Sequence, residues 1–121
     1  MSTQASLPSD ANGMITGTNV EVELEAVTED DVVTGAPSHG TLELGSIAGA
    51  EVGIWELRGG TVTDTEIDEI FVVLSGSALI EFVEEDRTIE VGPGDVVRLV
   101  AGSRTRWTVE DHIRKVYIAE S

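Results

Sequence analysis

The chain has 121 residues, the length of one domain with a single core. Its 7 basic and 23 acidic residues give a formal charge of −16, and with no cysteine it is barred from disulfides, iron–sulfur clusters, thiolate zinc sites and cysteine nucleophiles. So acidic a surface repels phosphate, which excludes nucleic acid and anionic membranes as partners; solubility, or adaptation to a salty cytoplasm, accounts for the charge.

Residues 1–18 are rich in Ser, Thr, Asn and Gly with little apolar periodicity, so they read as a flexible or strand-exchanging tail before one domain over 19–121. The first dozen residues lack the basic-then-apolar order of a signal peptide, and no apolar run is long enough to span a membrane. A cytoplasmic protein is expected. Val20, Val22, Leu24 and Ala26 alternate with Glu21, Glu23 and Glu25, which predicts a half-buried strand over 20–27. A Gly/Pro/Asp-rich connection follows over 28–40, with room for one short helical turn at 29–33.

Short strands are then predicted over 41–48, 51–57, 61–63, 69–74, 77–83, 88–91, 95–99, 104–109 and 113–119, nearly all bounded by Gly, Pro, Asp or Ser. Ser75-Gly76 has the form of a tight hairpin between two apolar strands, and Gly92-Pro93-Gly94-Asp95 is the strongest turn signal. With no helical pattern anywhere, the fold class is all-β, a sandwich or barrel.

Two motifs carry a family resemblance. Glu69 and Gly76 have the spacing of the glutamate and closing glycine of a first motif, and Gly94-Asp95 followed by Val100-Ala101-Gly102 matches a second. Together with Gly53-Ile54-Trp55-Glu56, Trp107 and Arg114-Lys115-Val116-Tyr117, they resemble the cupin superfamily, in particular the subgroup related to the cupin domain of ureidoglycine aminohydrolase. The resemblance implies a cupin-type double-stranded β-helix, a jelly-roll barrel, and pairing of two barrels as a homodimer through strand exchange.

In that family three histidines and a glutamate hold a metal, and in ureidoglycine aminohydrolase the metal is manganese. Carried over by motif position, the ligand places fall on Thr63, Thr65, Glu69 and Thr105. Threonine hydroxyls are weak neutral ligands, so no metal and no other cofactor is expected. The shared parity of Thr63, Thr65, Glu69, Phe71 and Val73, and of Thr105 and Trp107, predicts that these side chains face the barrel interior. Asp64, Glu66 and Asp68 have the opposite parity to Glu69 and are expected to point outward.

Glu69, the best candidate for a catalytic group, must protonate or find a cation among Arg98, Arg104, Arg106 and Lys115. Trp107 is the candidate for stacking on a planar ligand, and Trp55 for the barrel wall or a dimer face. His39, in a Ser-His-Gly turn, and His112, beside Asp111 before the last strand, lie apart from the motifs. Three functions remain open: a metal-free cupin binding a small polar molecule through Thr63, Thr65, Glu69, Thr105 and Trp107; an enzyme acting on a ureido or amide C–N bond; and a dimeric scaffold whose barrel is filled by side chains.

Overall fold

The computed structural model describes residues 12–120 as one antiparallel β-structure. Its strands are β1 (Glu25–Ala26), β2 (Val32–Ile47), β3 (Ala50–Thr65), β4 (Glu69–Gly76), β5 (Ala78–Phe82), β6 (Arg87–Val91), β7 (Val96–Leu99) and β8 (Arg104–Glu120), with one 3-10 turn at Glu29–Asp31. They run β1-β2-β3-β8-β4-β7 across the sheet, and β5 joins β8 to β6. The fold is the expected jelly-roll barrel.

β8 organises the barrel. Its whole length pairs with β3 on one side, while on the other Glu69 to Gly76 of β4 pair with Ala119 to Ile113, and Leu79 to Phe82 of β5 pair with Thr108 to Thr105. The chain from β4 to β5 therefore runs straight on along β8, and the hairpin expected at Ser75-Gly76 is not formed. Gly76 adopts a φ of 78°, and a Cβ there would lie 2.0 Å from the His112 carbonyl oxygen. The residue needs to be glycine because the backbone passes too close to β8 for a side chain, and Ser77 N–H then donates to that same carbonyl at 3.0 Å. The turn at 92–95 does form: Asp95 N–H donates to the Gly92 carbonyl, and the Asp95 carboxylate accepts from Gly92 N–H at 2.8 Å.

Several expected pairs of strands are single long ones. The segments 51–57 and 61–63 lie in β3, and 104–109 and 113–119 lie in β8, so His112 is within a strand. β2 begins at Val32, within the expected connection, and Pro37 is accommodated where its register with β3 shifts between Gly35 and Ser38. His39 is accordingly a strand residue, paired in register with Glu25 and Leu57. Of the expected 20–27 strand only Glu25–Ala26 joins the sheet, although burial still alternates, with Val20 and Val22 inward.

The main core fills the barrel with Leu57, Phe71, Val73, Ile80, Leu99, Trp107 and Ile113, each 2% exposed or less. Side chains of this kind contribute about 1.5–3 kcal/mol each on burial. A smaller cluster lies outside the barrel wall, where Val20 and Val22 pack on Leu44 and Ile54. Arg114 fastens it: its Nε donates to Glu56 at 2.8 Å, and its Nη1 to the Val20 carbonyl at 2.6 Å and the Gly17 carbonyl at 2.9 Å. Burial pushes the Glu56 carboxyl up, but the hydrogen bonds from Arg114 and Arg58 outweigh that and hold it below its ordinary value. Residues 1–11 of the expected tail lie outside the described residues; Gly17 is held by Arg114. Among the described residues no helix is long and apolar enough to cross a membrane.

Candidate functional site

One end of the barrel interior is an open pocket of about 320 Å³. β8 supplies its floor, because Trp107, Lys115, Tyr117 and Ala119 lie on the inward parity of that strand. Lys115 is 46 residues from Glu69, yet its Nζ donates to Glu69 Oε2 at 2.5 Å, and both side chains are more than nine-tenths buried. Three ring faces surround the same ammonium: Phe71 at 4.3 Å, Trp55 at 4.7 Å and Trp107 at 4.9 Å from their centroids. The rings brace one another, Trp55 meeting Trp107 edge-on at 5.3 Å and Phe71 tilted against Trp107 at 5.7 Å. Ring quadrupoles attract the cation while the carboxylate pairs with it, so the pair tolerates burial that would be costly for either charge alone.

A second polar group faces it. Glu66 is buried, and its Oε2 accepts from the Thr105 hydroxyl at 2.6 Å and from Trp107 Nε1–H at 3.0 Å. Asp64 stands at the rim, where desolvation first and repulsion by Glu66 second raise its carboxyl from 3.8 to about 6, against the lowering effect of a 2.8 Å bond from Thr65 N–H. Tyr117 donates to Glu51 Oε2 at 2.6 Å, and burial, followed by that hydrogen bond, moves its hydroxyl above the ordinary tyrosine value. The phenol therefore stays a donor at any physiological pH.

The inward positions of β3 differ from those expected. Before the register shift between Arg58 and Gly60 the interior receives Trp55 and Leu57; after it, Val62 faces inward, exposed Asp64 stands on the pocket rim, and Glu66, just past β3, is buried. Gly59, with a φ of 63°, allows the backbone to turn at that point. The loop at 66–68 then restores the odd parity that places Glu69, Phe71 and Val73 inside. Asp64 and Glu66 consequently point into the pocket, contrary to expectation, while Asp68 is outward as expected and bonds Arg98 and the Ala101 N–H.

Of the five expected pocket residues, Glu69 and Trp107 line the pocket, and Thr105 lies behind it as a donor to Glu66. Thr65 is exposed on the wall shared with a neighbouring hollow of about 520 Å³. Thr63 opens on that second hollow rather than on the pocket and donates weakly to the Asp31 carbonyl at 3.5 Å. Glu51, Glu66 and Tyr117 were not expected in the site; Lys115 was one of four candidate partners for Glu69, and Trp55 was expected at the barrel wall or a dimer face. Extending the parity of Thr105 and Trp107 along β8 would have reached Lys115 and Tyr117, although the alternation lapses at Asp111, which is exposed. His39 and His112 are not in the pocket lining; His112 bridges the Ser75 hydroxyl at 3.0 Å and Asp111 at 2.6 Å, a tie between β4 and β8.

The residues do not fit a transition metal. Thr63 and Thr65 do not converge with Glu69, Thr105 is committed to Glu66, and the single carboxylate at the expected ligand place is bound to an ammonium. Among the described residues no three His, Cys, Asp or Glu side chains are grouped to hold a metal ion. The core fills the barrel except at this end, where the open pocket departs from the wholly filled barrel that the scaffold reading expects.

A jelly-roll barrel with a polar pocket at one end is the architecture of the cupins, among other jelly-roll proteins. More narrowly, the family described as EutQ-like cupin domain matches residues 45–117, and the chain belongs to it. No curated protein matches the sequence. Among solved structures, the Clostridium difficile EutQ protein is 22% identical over 88% of this chain and 85% of its own, with a TM-score of 0.67. A DUF861-family protein of unknown function from Pseudomonas syringae pv. tomato has a TM-score of 0.71 at 17% identity, over 83% of this chain and 44% of its own. A DUF1255 protein of unknown function from Acidithiobacillus ferrooxidans is 22% identical over 87% of this chain and 98% of its own, at a TM-score of 0.57. At these identities the likeness is one of fold.

Proposed function

We propose that this cupin is a metal-independent binding protein that takes up a small polar molecule in the barrel pocket and works in the cytoplasm as a sensor, carrier or accessory protein. The observation that carries the reading is the Lys115–Glu69 pair inside an open pocket: the glutamate that a metallocupin would offer its metal is neutralised by an ammonium of the chain itself. Aromatic walls with a few polar groups of fixed direction are the usual make-up of a ligand site, and about 320 Å³ is at the small end of the range for such sites, roughly 300–1,000 Å³.

The ureidoglycine aminohydrolase-like reading requires a metal to polarise the ureido carbonyl, and nothing in the donor set favours it. A thermal-shift screen of ureides, amino acids, small carboxylates, amines and sugars, run with and without Mn²⁺, Zn²⁺ and Ni²⁺, separates the two. Binding protein is the outcome if a ligand raises Tm by the same amount with metal or with chelator. Stoichiometric metal in purified protein, or a screen in which nothing shifts Tm, overturns the proposal.

A further inference from the structure

We infer that the pocket is selective for a small organic cation, a primary or secondary ammonium, seated between Asp64 and Glu66; this rests on the binding reading above and names its ligand class. The first argument is charge. Glu51, Asp64, Glu66 and Glu69 are four carboxyl side chains on one small pocket, against a single ammonium, Lys115. That ammonium is already paired with Glu69 at 2.5 Å and covered by three rings, and its pull on Asp64 is outweighed by Glu66, so the pocket keeps an excess of carboxyl groups. An anionic ligand would meet uncompensated like charge, and a neutral polyol would leave the carboxyl groups as they are. A cation relieves them.

The second argument is the hydrogen-bonding complement. Glu66 is fixed through one oxygen, Oε2, by Thr105 and Trp107, which orients the carboxyl group without using Oε1. Asp64 is likewise fixed through Oδ1 by Thr65 N–H. The two groups line the same pocket, and the Thr105 hydroxyl that donates to Glu66 also lies 3.5 Å from the Asp64 backbone carbonyl. They are an acceptor pair in need of N–H donors, and an ammonium supplies two or three donors with a positive charge. The pocket volume of about 320 Å³, against about 30 Å³ for one liquid water, admits an ammonium carrying on the order of ten heavy atoms.

A third consequence is linkage to protons. Burial first, then Glu66 and, more weakly, Asp31 push the Asp64 carboxyl up to about 6 against the pull of Thr65 N–H and Lys115, so a cation bound beside it releases the proton that Asp64 holds at lower pH. Affinity should fall about tenfold between pH 7.5 and pH 5.0 for that one proton.

The chain has two tryptophans, so its indole N–H region in a ¹⁵N-correlated NMR spectrum holds two signals, one of them the Trp107 donor to Glu66. Titration with n-propylamine, n-propanol and propionate at pH 7.5 and 5.0 reads the site directly. The expected result is a saturable shift of the Trp107 indole with the amine, about tenfold weaker at pH 5.0, and no saturation with the alcohol or the carboxylate. Asp64→Asn should weaken amine binding at pH 7.5 about tenfold and abolish its pH dependence; Glu66→Gln should weaken it at both pH values. Propanol or propionate binding as well as propylamine, or an Asp64→Asn protein with unchanged amine affinity, overturns the inference and leaves the binding reading standing. If no amine, alcohol or carboxylate moves either indole and the thermal-shift screen is also empty, both fall.

Discussion

Lys115 and Glu69 form a buried pair whose energetics depend on both members being present. Removing the cation alone, as in Lys115→Met, leaves a carboxylate that is 9% exposed among Phe71, Trp55 and Trp107, and such a break costs about 3–5 kcal/mol. The double variant Glu69→Gln/Lys115→Met has similar volume and no charge, so urea unfolding should return it to within about 1–2 kcal/mol of the parent. If the double variant is as unstable as the single one, the pair is valued for packing rather than charge. Asp64 gives a pH prediction of opposite sense. Its folded value is raised above the unfolded 3.8 to about 6, so the folded state binds the proton more tightly and loses stability as pH rises from 3.8 through 6. Asp64→Asn should therefore stabilise by about 1 kcal/mol at pH 7.5, a value discounted for the openness of the rim, and by nothing at pH 4. Urea midpoints of the two proteins at both pH values check it; a gain that persists at pH 4 contradicts it.

At the level of strands, Gly76 is the position where one atom too many should be felt most. An added Cβ would lie 2.0 Å from a β8 backbone oxygen at a φ of 78°, and neither the oxygen nor the dihedral can yield without moving β4 or β8. Gly76→Ala is expected to cost about 2–4 kcal/mol by chemical denaturation, whereas Gly92→Ala, whose Cβ would meet nothing within 4 Å, should cost under about 1 kcal/mol. The sequence had marked Gly76 as special but as a hairpin, because Ser-Gly between apolar strands has the same composition whether the chain reverses or passes a bulge. The strands themselves were legible wherever apolar and polar residues alternate, as in Val20 to Ala26 and Glu69 to Val73. They were illegible in direction at Thr61 to Glu66, where both faces are polar or small and alternation carries no sign. Counting parity back from Glu69 across the 66–68 loop thus assigned Thr63 and Thr65 to the interior and Asp64 and Glu66 to the exterior. Glu69 was found by spacing, and its partner was narrowed to four cations but not chosen, since pairing with Lys115 depends on the register of β4 against β8, a contact between distant segments.

Across the whole molecule a formal charge of −16 sets self-repulsion against a handful of ion pairs. Arg87–Glu85, Arg98–Asp68, Arg104–Glu84 and Arg106–Glu81 are all exposed, and pairs of that kind contribute at most about 1 kcal/mol each, less in salt. They engage four of the acidic side chains, whereas Glu21, Glu23 and Glu25 lie exposed in a row on the segment that packs over the barrel wall. Salt screens both effects over a Debye length of about 10 Å at 0.1 M, but the repulsion involves many more charges than the pairs. Repulsion therefore dominates, and raising NaCl from 10 to 300 mM should raise Tm by about 5 °C, equivalent to roughly 1 kcal/mol for a domain of this length. Replacing Glu21, Glu23 and Glu25 together by Gln should reproduce part of that gain at 10 mM NaCl and flatten the dependence on salt. A Tm that falls with salt would mean that the four surface pairs outweigh the net charge, and the triple replacement would then leave the salt dependence unchanged.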